Sequence, residues 1–169
     1  GTNSCSCSGA DTASTPFLFG TAGEGITAYA IGADGALTPL SDGKATPAGD
    51  NPTYLCANKA GTLLFAACES EPSEVRAFKI DRSPGAQLLT PLNSQPAQGS
   101  AACWVTLSPD ESHLLAVNYT SGSAISFPVS EAGIGPAASF APQEGLKPLG
   151  PNPNRQDGGH AHSLMFSPT

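Results

Sequence analysis

An all-β fold of short antiparallel strands is what this sequence predicts, and three observations predict it. Glycine (19 residues) and proline (16) together make up more than a fifth of the chain; so much turn chemistry suits many short strands better than long helices. Short apolar runs with alternating character recur between polar turns, the period of half-buried strands. One stretch of the chain also repeats another. YLCANKAGTLLFAACES, Tyr54 to Ser70, lies over WVTLSPDESHLLAVNYT, Trp104 to Thr120, with an offset of 50 residues.

The elements follow in order. PFLFGT, GITAYAI and GALTPL read as three strands, with Asp34-Gly35 a hairpin-type turn between the last two. In each repeated stretch an apolar strand leads into a polar turn, NKAGT or SPDES, and a second apolar strand, LLFAA or HLLAV. EVRAFKI (Glu74 to Ile80) and SAISFPV (Ser123 to Val129) supply third strands. AQLLTPL and the stretch around GPAASF supply weaker fourth ones. AHSLMFSPT then restates a first strand, its Ser167-Pro168 matching Ser108-Pro109 after a link about nine residues longer. Four strands repeating every 40 to 50 residues predict a β-propeller, because a β-sandwich needs no self-similarity at a fixed long period. The expected layout is a flexible tail over 1–15 and a partial propeller over 16–169. The propeller part comprises three strands of a first blade, two complete blades, and the first strand of a fourth.

Composition excludes several function classes. Net charge is −7, which disfavours a nucleic-acid backbone binder. No apolar run approaches the ~20 residues that span a bilayer. Cys56, Cys68 and Cys103 fall in strand-like runs and read as buried free thiols; Cys5 and Cys7 sit in the irregular tail. Free thiols favour the cytoplasm, while the sequon Asn118-Tyr119-Thr120 leaves a secreted or organellar setting open.

The chemistry concentrates in PNPNRQDGGHAHS, Pro151 to Ser163, which holds two of the three histidines. On a strand, His160 and His162 would point to one face, and the link from about Ala141 to Gly159 would bring Glu144, Lys147, Asn152, Arg155, Gln156 and Asp157 beside them. Such a segment can supply a base that takes a proton and a donor for an anion. His160 or His162 suits the first role. Arg155 suits the second, or can hold a substrate phosphate or carboxylate. Asn152, Gln156, Glu144 and Trp104 are the candidate substrate-binding residues. His-x-His is also a zinc-ligand spacing, but it needs a third ligand and a held water, and Asp157 is the only nearby carboxylate in an obvious position, so no metal and no cofactor is expected. A structural role competes with all of this, with the histidines pinning a loop and Arg155 pairing with Asp157 or Glu144. His113 and Asn51 read as ordinary strand and turn residues.

GITAYAIGADGALTPL, DNPTYL, LLAVNYTSGSAISFPV and GPNPNRQDGGHAHSLMFSPT together resemble the lactonase family of seven-bladed propellers, over nearly all of Pro16 to Thr169. That family includes bacterial 6-phosphogluconolactonases and fungal carboxymuconate cyclases. The resemblance implies a seven-bladed ring of which this chain supplies about half, completed by a second chain or a missing C-terminal half. It implies a small-molecule lactone as substrate. Trp104 stands where many relatives carry a histidine, which keeps a catalytically inactive scaffold subunit as an alternative function; a cyclase-like enzyme, differing only in which acid lactone fits, is another.

Overall fold

In the computed structural model, residues 15–143, 150–152 and 155–167 are described. Residues 1–14 of the tail and Glu144 therefore lie outside the described residues, as do Lys147 and Pro168. The described chain carries thirteen strands in three antiparallel sheets. The first sheet holds β1 (Phe17–Ala22), β2 (Gly25–Ile31), β3 (Leu37–Pro39) and β4 (Thr46–Pro47). The second is a meander of β5 (Pro52–Ala57), β6 (Leu63–Cys68), β7 (Glu74–Ile80) and β8 (Leu89–Pro96). The third comprises β9 (Ala102–Leu107), β10 (His113–Asn118), β11 (Ser123–Ser130), β12 (Gly133–Ile134) and β13 (Ser139–Pro142).

The predicted strands are all recognisable up to β11. The fourth strands differ in detail. β8 begins later than AQLLTPL suggests, because Ser83 to Ala86 closes a turn with Gly85 at φ +80°. The last expected strand is two short pieces, β12 and β13, both paired to β11 on either side of a break at Pro136. β4 is too short for any alternation to show in the sequence. Residues 160–167, expected to open a fourth blade, form no strand. A strand exists only through its ladder, and no described residue offers this segment a partner strand.

The 50-residue repeat is visible in the backbone. Asn51 and Ala101 both adopt left-handed φ, +49° and +59°. Their carbonyls accept equivalent bonds from the N–H groups of Glu69 (2.9 Å) and Tyr119 (2.8 Å). Asn tolerates this region, and the Asn51 amide adds a bond to the Glu69 carbonyl. Asn51 is thus a turn former, as expected. The turns 58–62 and 108–112 are equivalent too, closed by different side chains. Asn58 Oδ1 accepts from the N–H groups of Thr62 and Leu63, both at 2.9 Å. In the second copy Ser108 Oγ takes the N–H of His113 at 3.0 Å, and Asp110 Oδ1 takes that of Ser112 at 3.1 Å.

Asp110 also accepts both serine hydroxyls, and these bonds lower its pKa to about 2, the Ser108 hydroxyl contributing most. A depressed carboxylate stabilises the fold above its unfolded pKa near 4, and the contribution disappears as pH falls from there through about 2. Thermal melts of wild type and Asp110→Asn across that range check this: the wild type should lose melting temperature on acidification more steeply than the variant.

The sheets pack face to face across shared cores. β5 packs against β9, and β1 stands to β5 as β6 stands to β9; β1 is therefore a second strand, as predicted. β6 is buried at every position. Its alternate residues split between two cores: Leu63, Phe65 and Ala67 join Val105, Leu114 and Phe127, while Leu64 and Ala66 join Ile26, Phe78 and Leu89. A strand covered on both faces reads as a continuous apolar run, which is how LLFAAC reads. Of the three described cysteines only Cys68 is fully buried, and Cys56 and Cys103 are half-buried, all as free thiols. Burial pushes the Cys68 thiol up to about 11. Asn118 is fully buried, its amide donating to the Ala97 carbonyl and Ser123 Oγ, so the sequon presents no acceptor nitrogen in the folded chain. No helix is long and apolar enough to cross a membrane among the described residues.

Candidate functional site

Where β5 and β9 begin and the segment 155–162 crosses in front of them, the described residues enclose an open cavity of about 730 Å³. Tyr54 and Trp104, equivalent residues of the repeat, form one wall. Their rings stack with centroids 3.9 Å apart and planes 25° from parallel. Trp104 lines the cavity as expected, though its indole N–H is buried without a hydrogen-bond partner. Thr53, Glu69 and Cys103 also line the cavity.

Arg155, Asp157, His160 and His162 complete the lining. The His160 ring is 18% exposed and lies parallel to the Tyr119 ring, centroids 4.6 Å apart. Its Nδ1 is 3.1 Å from the Tyr119 carbonyl oxygen and its Nε2 is 3.0 Å from Asp157 Oδ1. That contact holds the Asp157 carboxyl below its ordinary value, the bond to His160 being the largest cause. His162 is exposed and meets the same tyrosine edge-on at 5.7 Å. No described residue bonds to its ring nitrogens. Arg155 is exposed and forms no ion pair among the described residues, so the alternative in which Asp157 occupies it does not hold; Asp157 is taken by His160.

The two amides assigned to substrate binding stand elsewhere. Gln156 Oε1 accepts the N–H of Asn152 at 2.9 Å, and the Asn152 carbonyl accepts the N–H groups of Arg155 and Gln156. These bonds tie Asn152 to Arg155 and Gln156, and neither Asn152 nor Gln156 lines the cavity. His113 bonds Ser112 Oγ at 2.8 Å, away from the site. Among the described residues no group of three His, Cys, Asp or Glu is placed to hold a metal ion.

Tyr119, Glu69, Thr53 and Cys103 were not anticipated. Glu69 and Tyr119 hold the same repeat position, at the exits of β6 and β10. The alignment that pairs Tyr54 with Trp104 pairs them as well.

The segment is seated by a close backbone approach. Gly122 has φ +59°, and a Cβ there would collide with the Gly159 carbonyl. Gly85 is also left-handed, at +80°, but faces open space. Alanine at either site costs about 1–2 kcal/mol of backbone strain, or about 2–4 °C per kcal/mol for a chain of this size. Gly122→Ala should lose more melting temperature than Gly85→Ala and should open residues 155–162 to limited proteolysis. Equal losses in the two variants would deny the close approach.

Comparison with known proteins adds the following. The family model described as "Lactonase, 7-bladed beta-propeller" matches residues 12–169. A 6-phosphogluconolactonase of Bacillus subtilis (strain 168) is 33% identical over 147 residues, which is 86% of this chain and 40% of that protein. A crystal structure of a candidate 6-phosphogluconolactonase from Bacteroides uniformis superposes with TM-score 0.74 at 28% identity, covering 91% of this chain and 44% of that one. One from Bacteroides fragilis gives TM-score 0.76 at 23% identity, covering 94% and 44%; at that identity the likeness is one of fold. The chain spans less than half the length of these relatives.

Proposed function

This chain belongs to the lactonase family of seven-bladed β-propellers, and on that premise we propose that the protein hydrolyses a sugar lactone, 6-phosphogluconolactone or a close relative. A second chain or further sequence completes the ring, in keeping with the 40–44% of the relatives' length that these residues cover. The observation that carries the reading is the gathering of His162, Arg155 and the His160–Asp157 pair at one aromatic-walled cavity. A fold alone does not fix chemistry on a propeller; these side chains supply the groups that a lactone needs.

In the proposed reaction a water oxygen attacks the lactone carbonyl carbon while His162 takes one of its protons. The carbonyl π electrons move to oxygen, giving a tetrahedral oxyanion. The ring C–O bond then breaks, and the proton held by His162 passes to the departing alkoxide, leaving hydroxy acid and regenerated imidazole. Arg155 is the anion holder: its five-donor guanidinium matches a phosphate on the substrate bidentately. The stacked Tyr54 and Trp104 rings offer the flat apolar wall against which a sugar ring can lie.

Hydrolysis of δ-gluconolactone and of its 6-phosphate, followed above the spontaneous rate, tests the proposal. Acceleration of either supports it. Arg155→Ala should raise KM for the phosphorylated lactone by at least tenfold, the loss of about 1.5–3 kcal/mol for a charge-assisted bond, and leave the neutral lactone nearly untouched. Wild-type protein that accelerates neither lactone would refute the reading and leave a binding subunit in its place.

A further inference from the structure

The two histidines of the segment are two residues apart in sequence but chemically unlike. A carbonyl oxygen can only accept a hydrogen bond, and so can an ionised carboxylate. The ring of His160 faces one of each: the Tyr119 carbonyl at Nδ1, 3.1 Å, and Asp157 Oδ1 at Nε2, 3.0 Å. A neutral imidazole has a single N–H and must give up one of these contacts. Both are made together only when the ring carries two protons.

We infer that His160 is a positioning residue, a doubly protonated bracket joining Asp157 to the Tyr119 carbonyl, and that His162 alone moves protons. The second half rests on the lactone reading; the first does not. Asp157 is suited to the charged partnership, because its carboxyl is held below its ordinary value and stays ionised. The Tyr119 carbonyl is itself fixed, accepting the N–H of Gly122 at 3.3 Å. The Tyr119 ring covers the imidazole face at 4.6 Å, a favourable site for a cation over an aromatic ring. Other charged or titratable groups face the same cavity. Arg155 and His162 come from the segment itself, Glu69 from the exit of β6, and Cys103 and Tyr54 from the mouths of β9 and β5. None of them bonds to the His160 ring.

The bracket has a functional consequence. It ties residues 157–160 to the turn after β10, and that seat fixes where Arg155 and His162 stand, one on each side. A proton lost from His160 releases one end. The pH dependence of hydrolysis is then bell-shaped, rising as His162 becomes free to accept a proton and falling as the bracket opens.

Two measurements decide the matter. Imidazole ¹⁵N spectra of the protein, assigned with His113→Gln and His162→Gln, should show both nitrogens of His160 protonated at a pH where His162 already carries a single proton. A singly protonated His160 under those conditions overturns the inference. The pH–rate profile of Asp157→Asn supplies the second. Asparagine keeps a side-chain oxygen for the hydrogen bond but removes the charge, so the alkaline limb should move to lower pH. On that limb the rate should drop about tenfold relative to wild type, the effect of losing a neighbouring opposite charge. The acid limb should stay in place. An unmoved alkaline limb would show that Asp157 is merely structural and overturn the assignment. If wild type hydrolyses no lactone at any pH, the lactone reading fails and the imidazole spectra alone decide the bracket.

Discussion

His162→Ala is expected to lower kcat for lactone hydrolysis by about 10²–10⁴-fold, the range typical of a positioned general base, while the protein stays folded. His162 is the exposed histidine of the cavity, touching Tyr119 edge-on at 5.7 Å with its nitrogens free of described partners. Water and substrate can therefore reach it, and truncation removes little packing. Arg155 and the aromatic wall remain, so KM should change much less than kcat, the pattern of a group that acts in the transition state. Steady-state kinetics on both lactones check the size of the effect, and near-ultraviolet circular dichroism checks the fold. Undiminished turnover in the variant would remove His162 from the mechanism.

Phe65→Ala should be the most damaging core substitution, costing about 3–5 kcal/mol. Phe65 is fully buried in β6 and packs into the core shared with the third sheet. Both neighbouring strands pin its backbone: Phe65 pairs with Cys56 of β5 and with Ala77 of β7. The strand cannot slide inward to fill the void, which places the cost in the upper part of the range. At 1.4 kcal/mol per decade, the ratio of folded to unfolded protein falls at least a hundredfold. Urea titration of the variant, with Leu18→Ala on the partly exposed β1 as a control, measures the loss. A change below 1 kcal/mol would contradict the two-faced burial of β6.

The sequence made the fold legible because its physics is periodic. The predicted spans GITAYAI and EVRAFKI match β2 and β7; in β7, Val75 and Ala77 join one core and Phe78 and Ile80 the other. LLFAAC is continuously apolar because both its faces are covered. The site was half legible. His160, His162 and Arg155 reach one cavity, since side chains gathered on one segment stay near each other in space, and Trp104 meets them from β9. Asn152 and Gln156 do not line the cavity: an amide bonds equally well to a ligand or to a nearby backbone, and the Gln156 side chain accepts the Asn152 N–H. Glu69 and Tyr119 were overlooked for the opposite reason: they belong to separate repeats and meet only after the sheets stack.

That last point has a consequence for how such a protein can change. The basin lies across the seams between successive units: one unit gives Tyr54 and Glu69, the next Trp104 and Tyr119, and the segment beyond gives the imidazoles. No unit owns it. Selection can recolour one panel of the basin without disturbing the frame that holds the others. The same arrangement means that a lone duplicated unit inherits a rim with nothing to enclose, and novelty has to arise by altering neighbours already in place.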